Sequence, residues 1–266
     1  MVLIFMFKIL NAKVLSELIL QKIWIKQSNS SHQMNKINNC IKVIAFDADD
    51  TLWVNETYFR EAESQFVKLL AQYETHNKID QELFRVEIKN LSDYGYGIKG
   101  FILSMIECAL TLSNGQVPQK TIQTILSIGK DMLNKPIELI DGVEEVLQFL
   151  QKKYTLIVAT KGDLLDQERK LEKSNLLKYF HHIEVMSDKK EKDYQKLIRH
   201  LEIQPSELLM IGNSLKSDVL PLIEVGASAI HVPFHTTWIH EEVSDESHAT
   251  SNYQTITNIK EVLTLF

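Results

Sequence analysis

Three carboxylates, Asp47, Asp49 and Asp50, and then the hydroxyl of Thr51 close the stretch KVIAFDADDTLW, Lys42 to Trp53. Asp47 and Asp49 are two apart, so in an extended chain both side chains leave the same side. Carboxylates held that close repel each other unless a cation or a shared proton compensates. Oxygen donors of this kind suit a hard divalent ion, and magnesium is the expected cofactor.

The elements that must position these groups follow from the surrounding pattern. Val43, Ile44, Ala45 and Phe46 form a short apolar run that reads as a buried strand of a parallel sheet. A strand that ends at a carboxylate cluster is where an open α/β sheet places its chemistry. Later stretches end the same way. Tyr154–Ala159 reads as a strand followed by Thr160-Lys161-Gly162-Asp163, whose hydroxyl and backbone N–H groups could hold a phosphate. Ile183–Met186 is followed by Ser187-Asp188-Lys189-Lys190-Glu191-Lys192. Leu208–Ile211 is followed by Gly212-Asn213-Ser214-Leu215-Lys216-Ser217-Asp218. Ala229–Val232 and a short run after Tyr253 read as further strands.

Asp47-Ala48-Asp49-Asp50-Thr51 resembles the DxDxT motif of the haloacid dehalogenase (HAD) superfamily, and the other strand ends resemble its later motifs in the same order. The resemblance runs from about Lys42 to the C-terminus. It implies that Asp47 is the nucleophile and Asp49 the general acid/base. It also implies Thr160 as the phosphate-binding hydroxyl, with Lys161 and Gly162 beside it, and Lys189 as the lysine that neutralises nucleophile and phosphate. Lys190 and Lys192 remain rivals for that last role. The implied metal ligands are Asp47, Asp49, Asp218 and Asn213. Asn213 departs from the pattern: it replaces the first acid of GDSxxxD, so it can coordinate but brings no charge. Asp50 receives no catalytic role, only hydrogen bonding at the turn.

The activity this implies is hydrolysis of a small phosphorylated metabolite by an aspartyl-phosphate route. A phosphosugar mutase and a haloacid dehalogenase share the fold. From other classes, a phosphoacceptor signalling domain and a non-catalytic phosphate-ligand-binding protein are the alternatives. The halide-releasing reaction needs neither Asp49 nor a metal, and signalling domains lack a large insertion after the first strand.

Between the first and second strands the chain shows only helical periodicity. Ala62, Phe66, Leu69, Leu70 and Tyr73 share a face, as do Ile102, Met105, Ile106 and Ala109, and Ile122, Ile125, Leu126 and Leu133. The expected fold is therefore α/β: a Rossmann-like parallel sheet core of residues 41–60 and 134–266, with an all-helical cap domain over 61–133. Inside the cap, Ser92–Gly100 carries three glycines with Tyr94, Tyr96 and Lys99, a loop that could grip a substrate. Asp141, followed three residues later by Glu144, has the spacing of a helix start.

The 266 residues are 44% apolar and 24% charged, as in an ordinary globular protein. A net charge of −6 gives no bulk attraction to nucleic acid or anionic membrane. Two cysteines, Cys40 and Cys108, exclude a disulfide framework and fit a reducing, cytoplasmic location. No run of eighteen apolar residues offers a membrane span. His231, His235 and His240 are irregularly spaced and read as surface or satisfied core histidines rather than a zinc site. Residues 1–40 are an extension of different composition. Val2 to Ile25 is apolar with interspersed lysines and could lie on a membrane as an amphipathic helix, Gln27 to Asn39 reads as a disordered linker, and Met34 is a rival start. Nothing in the pattern sets the oligomeric state.

Overall fold

The computed structural model describes residues 40–242 and 253–266. The expectations for residues 1–39 lie outside this range. Six parallel strands form one sheet in the order β3-β2-β1-β4-β5-β6. They are β1 (Val43–Phe46), β2 (Thr155–Lys161), β3 (Ile183–Met186), β4 (Leu208–Gly212), β5 (Ser228–His231) and β6 (Gln254–Thr255). β1 is central, flanked by β2 and β4 in matched register, with Phe46 opposite Val158 and Ile211.

The period of two along β1 divides its side chains between two cores. Ile44 and Phe46 pack on one face with Leu147, Val158 and Ile211. Val43 and Ala45 pack on the other with Ile157, Leu197 and Leu222. Both faces are covered, as parallel sheets require. The covering helices are α5 (Val143–Leu150), α6 (Leu164–Lys173), α7 (Glu191–His200), α8 (Leu220–Glu224) and α9 (Val262–Leu265).

Between β1 and β2 lie four helices: α1 (Glu56–Leu70), α2 (His76–Tyr94), α3 (Ile98–Leu112) and α4 (Gln119–Asn134). Their apolar faces form a core of their own, with Phe66, Leu70, Ile79, Met105 and Ile125 fully buried. Burying a side chain of that size contributes roughly 1.5–3 kcal/mol. The helical insert is thus a packed unit rather than a cover for the sheet.

Two local expectations change. The insert's first helix begins at Glu56, because the Asp50 carboxylate accepts the Asn55 and Glu56 N–H groups at 2.8 and 3.0 Å and caps it. Asp141 does not cap α5. Gly142 holds that position at φ 88°, and Asp141 instead accepts from Lys260 Nζ at 2.9 Å. Of the three histidines, His231 Nε2 donates to the Asn213 carbonyl at 3.0 Å. Among the described residues no group of three or more His, Cys, Asp or Glu side chains is arranged to hold a metal, and no helix is long and apolar enough to cross a membrane.

Candidate active site

The C-terminal ends of β1, β2 and β4 open on one cavity of about 180 Å³, roofed by the helical insert. Asp47, Asp49, Thr160, Lys161, Gly162, Lys189, Asn213 and Asp218 all line it. The four strand-end motifs, far apart in sequence, therefore meet. Lys99 does not line it. Its ammonium pairs with Asp163 Oδ1 at 2.8 Å, on an exposed boundary between insert and sheet.

Lys189 is the lysine that enters. Its side chain is buried, with Nζ bonded to Asp47 Oδ1 and, at 2.6 Å, to Asp218 Oδ1. Lys190 instead sits on the surface against Asp188, at 2.7 Å. The two carboxylates hold Lys189 well above the usual lysine range, although burial opposes them. Burial pushes Asp47 up to about 7; Lys189 opposes, while Asp218 adds to the rise. The site is thus short of positive charge even with its lysine in place.

Thr51 Oγ1 lies 3.3 Å from both Asp47 Oδ2 and Asn213 Oδ1, so these two oxygens face a common point. Asp218 is fixed by the Ser214 N–H at 2.9 Å. Gly212 makes room for it: a Cβ there would stand 2.4 Å from Asp218 Cγ. Two buried carboxylates and an amide oxygen are what magnesium takes from a protein, with water and substrate phosphate completing its shell. The donor set fits the ion, and the charge deficit at Asp47 gives it a reason to bind.

Asp49 is held by groups that its spacing did not reveal. Its carboxylate accepts from Trp53 Nε1 at 2.7 Å, Gln167 Nε2 at 2.8 Å and Lys170 Nζ at 2.9 Å. Thr160 Oγ1 donates to the Lys161 carbonyl at 3.1 Å. Lys161 reaches Ser217 Oγ at 2.9 Å and the Glu241 carboxylate, and its ammonium stands 4.4 Å from the Tyr96 ring centre. Glu241 also accepts from Ser214 and Ser217. Burial alone would raise it, but Lys161 and the two hydroxyls hold it down at about 2.

The sequence profile of haloacid dehalogenase-like hydrolases matches residues 41–226. A haloacid dehalogenase-like family hydrolase from Xanthomonas campestris is 39% identical in sequence, covering 78% of this chain and 88% of its own, at a TM-score of 0.71. The chain belongs to the haloacid dehalogenase-like hydrolase family. Among curated relatives, the N-acylneuraminate-9-phosphatase of Mus musculus is 26% identical over 76% of this chain and 83% of its own length. The human enzyme of the same name is 24% identical over the same shares. A structure of YfnB from Bacillus subtilis bound to magnesium shares the fold at 16% identity and a TM-score of 0.58, covering 85% of this chain and 98% of its own. As a haloacid dehalogenase-like hydrolase the chain is an enzyme, and its helical insert between β1 and β2 has the place of a C1 cap.

Proposed function

We propose that this enzyme is a magnesium-dependent phosphatase that hydrolyses a small-molecule phosphate monoester through an aspartyl-phosphate. Residues 41–60 and 134–266 would form its catalytic core and 61–133 its cap. The observation that carries the reading is Asp47, a buried nucleophile at the end of the central strand, gripped by Lys189 on one oxygen and open to the cavity beside the other. The name of the curated relatives supports phosphate esters as the substrate class.

Asp47 attacks phosphorus, forming a P–O bond as the ester P–O bond breaks. Asp49 gives its proton to the departing alcohol oxygen. Water then attacks phosphorus, Asp49 takes the water's proton, and the acyl-phosphate P–O bond breaks to restore the Asp47 carboxylate. Lys189, the Thr160 hydroxyl and Lys161 hold the phosphoryl oxygens as charge shifts between them. The side chains of Asp47, Asn213 and Asp218, with the backbone carbonyl of Asp49, would hold magnesium, which would supply Lewis-acid stabilisation of the phosphoryl oxygens.

The test is phosphate release by the purified protein from an aryl phosphate and a panel of esters that includes N-acylneuraminate 9-phosphate. Turnover should need magnesium and vanish in Asp47→Asn, while the intact enzyme traps phosphate covalently on Asp47. Full turnover in excess chelator, or a phosphoenzyme in Asp47→Asn, would overturn it. Isomerisation of a sugar phosphate without phosphate release would make the enzyme a mutase.

A further inference from the structure

The cap end of the cavity carries charge that phosphoryl transfer does not use. Glu56, Arg60 and Glu63 share one face of α1 at spacings of four and three, and Glu87 stands beside them on α2. All four line the same cavity as Asp47. Arg60 gives Nε and Nη2 to Glu56 Oε1 at 2.9 and 2.6 Å, and Nη1 to Glu63 Oε2 at 2.7 Å. Among the described residues no hydrogen bond reaches Glu87 Oε1, although Glu87 is only 8% exposed.

Three carboxylates thus surround one guanidinium, and the guanidinium bonds to two of them. The remaining polar neighbours do not compensate Glu87. Asn90 Nδ2 donates to Ser104 Oγ at 3.2 Å, and Ser104 Oγ donates to the Gly100 carbonyl at 2.9 Å. Burial, reinforced by the neighbouring carboxylate of Glu63, pushes Glu87 up to about 8. Burial likewise pushes Glu63 up to about 7, against the pull of Arg60. A buried carboxylate without a partner is costly, and a cation that hydrogen-bonds to it removes the cost.

Given the phosphatase reading, we propose that this cap end is a subsite for a protonated amine on the alcohol part of the substrate, with Glu87 as its main partner and Glu63 beside it. A second anion would meet three carboxylates. Beside a neutral hydroxyl Glu87 stays largely protonated, as its raised value requires, so the hydroxyl gains nothing from its charge. An ammonium keeps the carboxylate ionised and donates up to three hydrogen bonds from a compact charge. Among the described residues no three carboxylates are placed to share a metal ion, so a hydrogen-bonding organic cation fits better than a second metal. Phe59 and Phe101, with ring centres 5.0 Å apart, line the same cavity and can cover the carbon skeleton between phosphate and amine.

The test uses matched esters that differ in one group. Glucosamine 6-phosphate is compared with glucose 6-phosphate, 2-aminoethyl phosphate with 2-hydroxyethyl phosphate, and 6-phosphogluconate serves as the acidic member. kcat/KM is measured for the wild type, and Kd for the Asp47→Asn protein by calorimetry. The amine should win by about tenfold or more in at least one pair, and the acid should be the poorest of the sugar esters. Glu87→Gln, similar in shape to the protonated acid, should bring the amine-to-hydroxyl ratio to within about twofold, with Glu63→Gln reducing it partway. A ratio near one in both wild-type pairs, in rate and in affinity, overturns the subsite, as does a preference that survives Glu87→Gln. If no ester is hydrolysed the phosphatase reading fails, and the amine preference in Kd, read in Asp47→Asn with and without Glu87→Gln, still decides the subsite.

Discussion

Lys170 on α6 places its ammonium 2.9 Å from Asp49 Oδ1, joining a helix that follows β2 to the carboxylate that follows β1. The same ammonium reaches Asn55 Oδ1 at 2.8 Å and Asp166 at 3.7 Å. Burial works against its charge, but Asp49 and Asp166 outweigh it and hold Lys170 above its ordinary range. Lys170 is therefore a positioning residue for the proposed acid/base. Lys170→Ala should lower kcat by roughly 10–100-fold, part of the ~10²–10⁴-fold that general acid–base catalysis contributes, with a much smaller change in KM. Lys170→Arg should recover part of the loss. A change confined to KM would instead make Lys170 a phosphate-binding group.

Glu241 occupies donors that an anionic substrate would want. Its carboxylate takes Lys161, Ser214 and Ser217 at the rim of the cavity. Substrate phosphate approaching Lys161 must share or displace that carboxylate. Glu241→Gln keeps the shape and removes the charge, so KM for an aryl phosphate should fall several-fold, on the order of 1 kcal/mol, at nearly constant kcat. A raised KM would mean that Glu241 aims Lys161 at the substrate rather than competing for it.

The expected Ser92–Gly100 loop shrinks to Gly95–Gly97, because Tyr94 ends α2 and Lys99 lies in the first turn of α3. Tyr94 is exposed and donates to Glu107 at 2.7 Å, and Lys99 pairs with Asp163. Tyr96 faces the cavity, under Lys161 and edge-on to Trp238, with ring centres 6.2 Å apart. Gly97, at φ 108°, brings the loop so near the sheet that a Cβ would stand 3.3 Å from the Asp163 N–H nitrogen. The exposed Lys99–Asp163 pair is of the kind worth about 0–1 kcal/mol, so Lys99→Ala should change kcat/KM by no more than roughly fivefold. Tyr96→Ala should raise KM about tenfold, through lost ring contacts where the cap meets the cavity. Steady-state kinetics on both variants decide this. A larger loss in Lys99→Ala than in Tyr96→Ala would return Lys99 to the substrate.

Short-range pattern in the sequence determines part of the fold and of the site. The run Val43–Phe46 ending at Asp47 is a local signal, and β1 with its carboxylates stands where it should. The all-helical insert was legible because three of its helices keep unbroken apolar stripes. α2 (His76–Tyr94) gave no such stripe, because Glu87 and Asn90 interrupt the buried face begun by Ile79, Leu83 and Val86. Those same polar residues line the cavity, so a helix hard to see in the sequence is one that shapes the site. Lys170 and Gln167 could not be assigned to Asp49 from spacing: their separations in sequence are 121 and 118 residues, and only the fold closes them. Asp141 does not cap α5 because Gly142 takes that position, and the Asp141 carboxylate turns to Lys260, 119 residues away.

The buried carboxylates of the cap also set a pH dependence of stability. Glu87 moves from an ordinary glutamate value of 4.5 to about 8 on folding, chiefly through burial. A carboxyl group whose folded value is raised stabilises the fold fully below its unfolded value and loses that contribution as pH rises through the folded one. The window for Glu87 is therefore pH 4.5 to about 8. Glu63, raised from 4.5 to about 7, acts in the same direction over the lower part of it. Without ligand, the Tm of the cap should fall across this window, although acid titration elsewhere adds its own slope at the low end. Glu87→Gln cannot ionise, so its Tm should fall less and should exceed that of the wild type above pH 8. Differential scanning calorimetry from pH 5 to 9 reads both profiles. Parallel profiles would show that Glu87 is already charged and compensated in the folded cap, whereas convergence toward pH 5 with separation above pH 7 is the expected result.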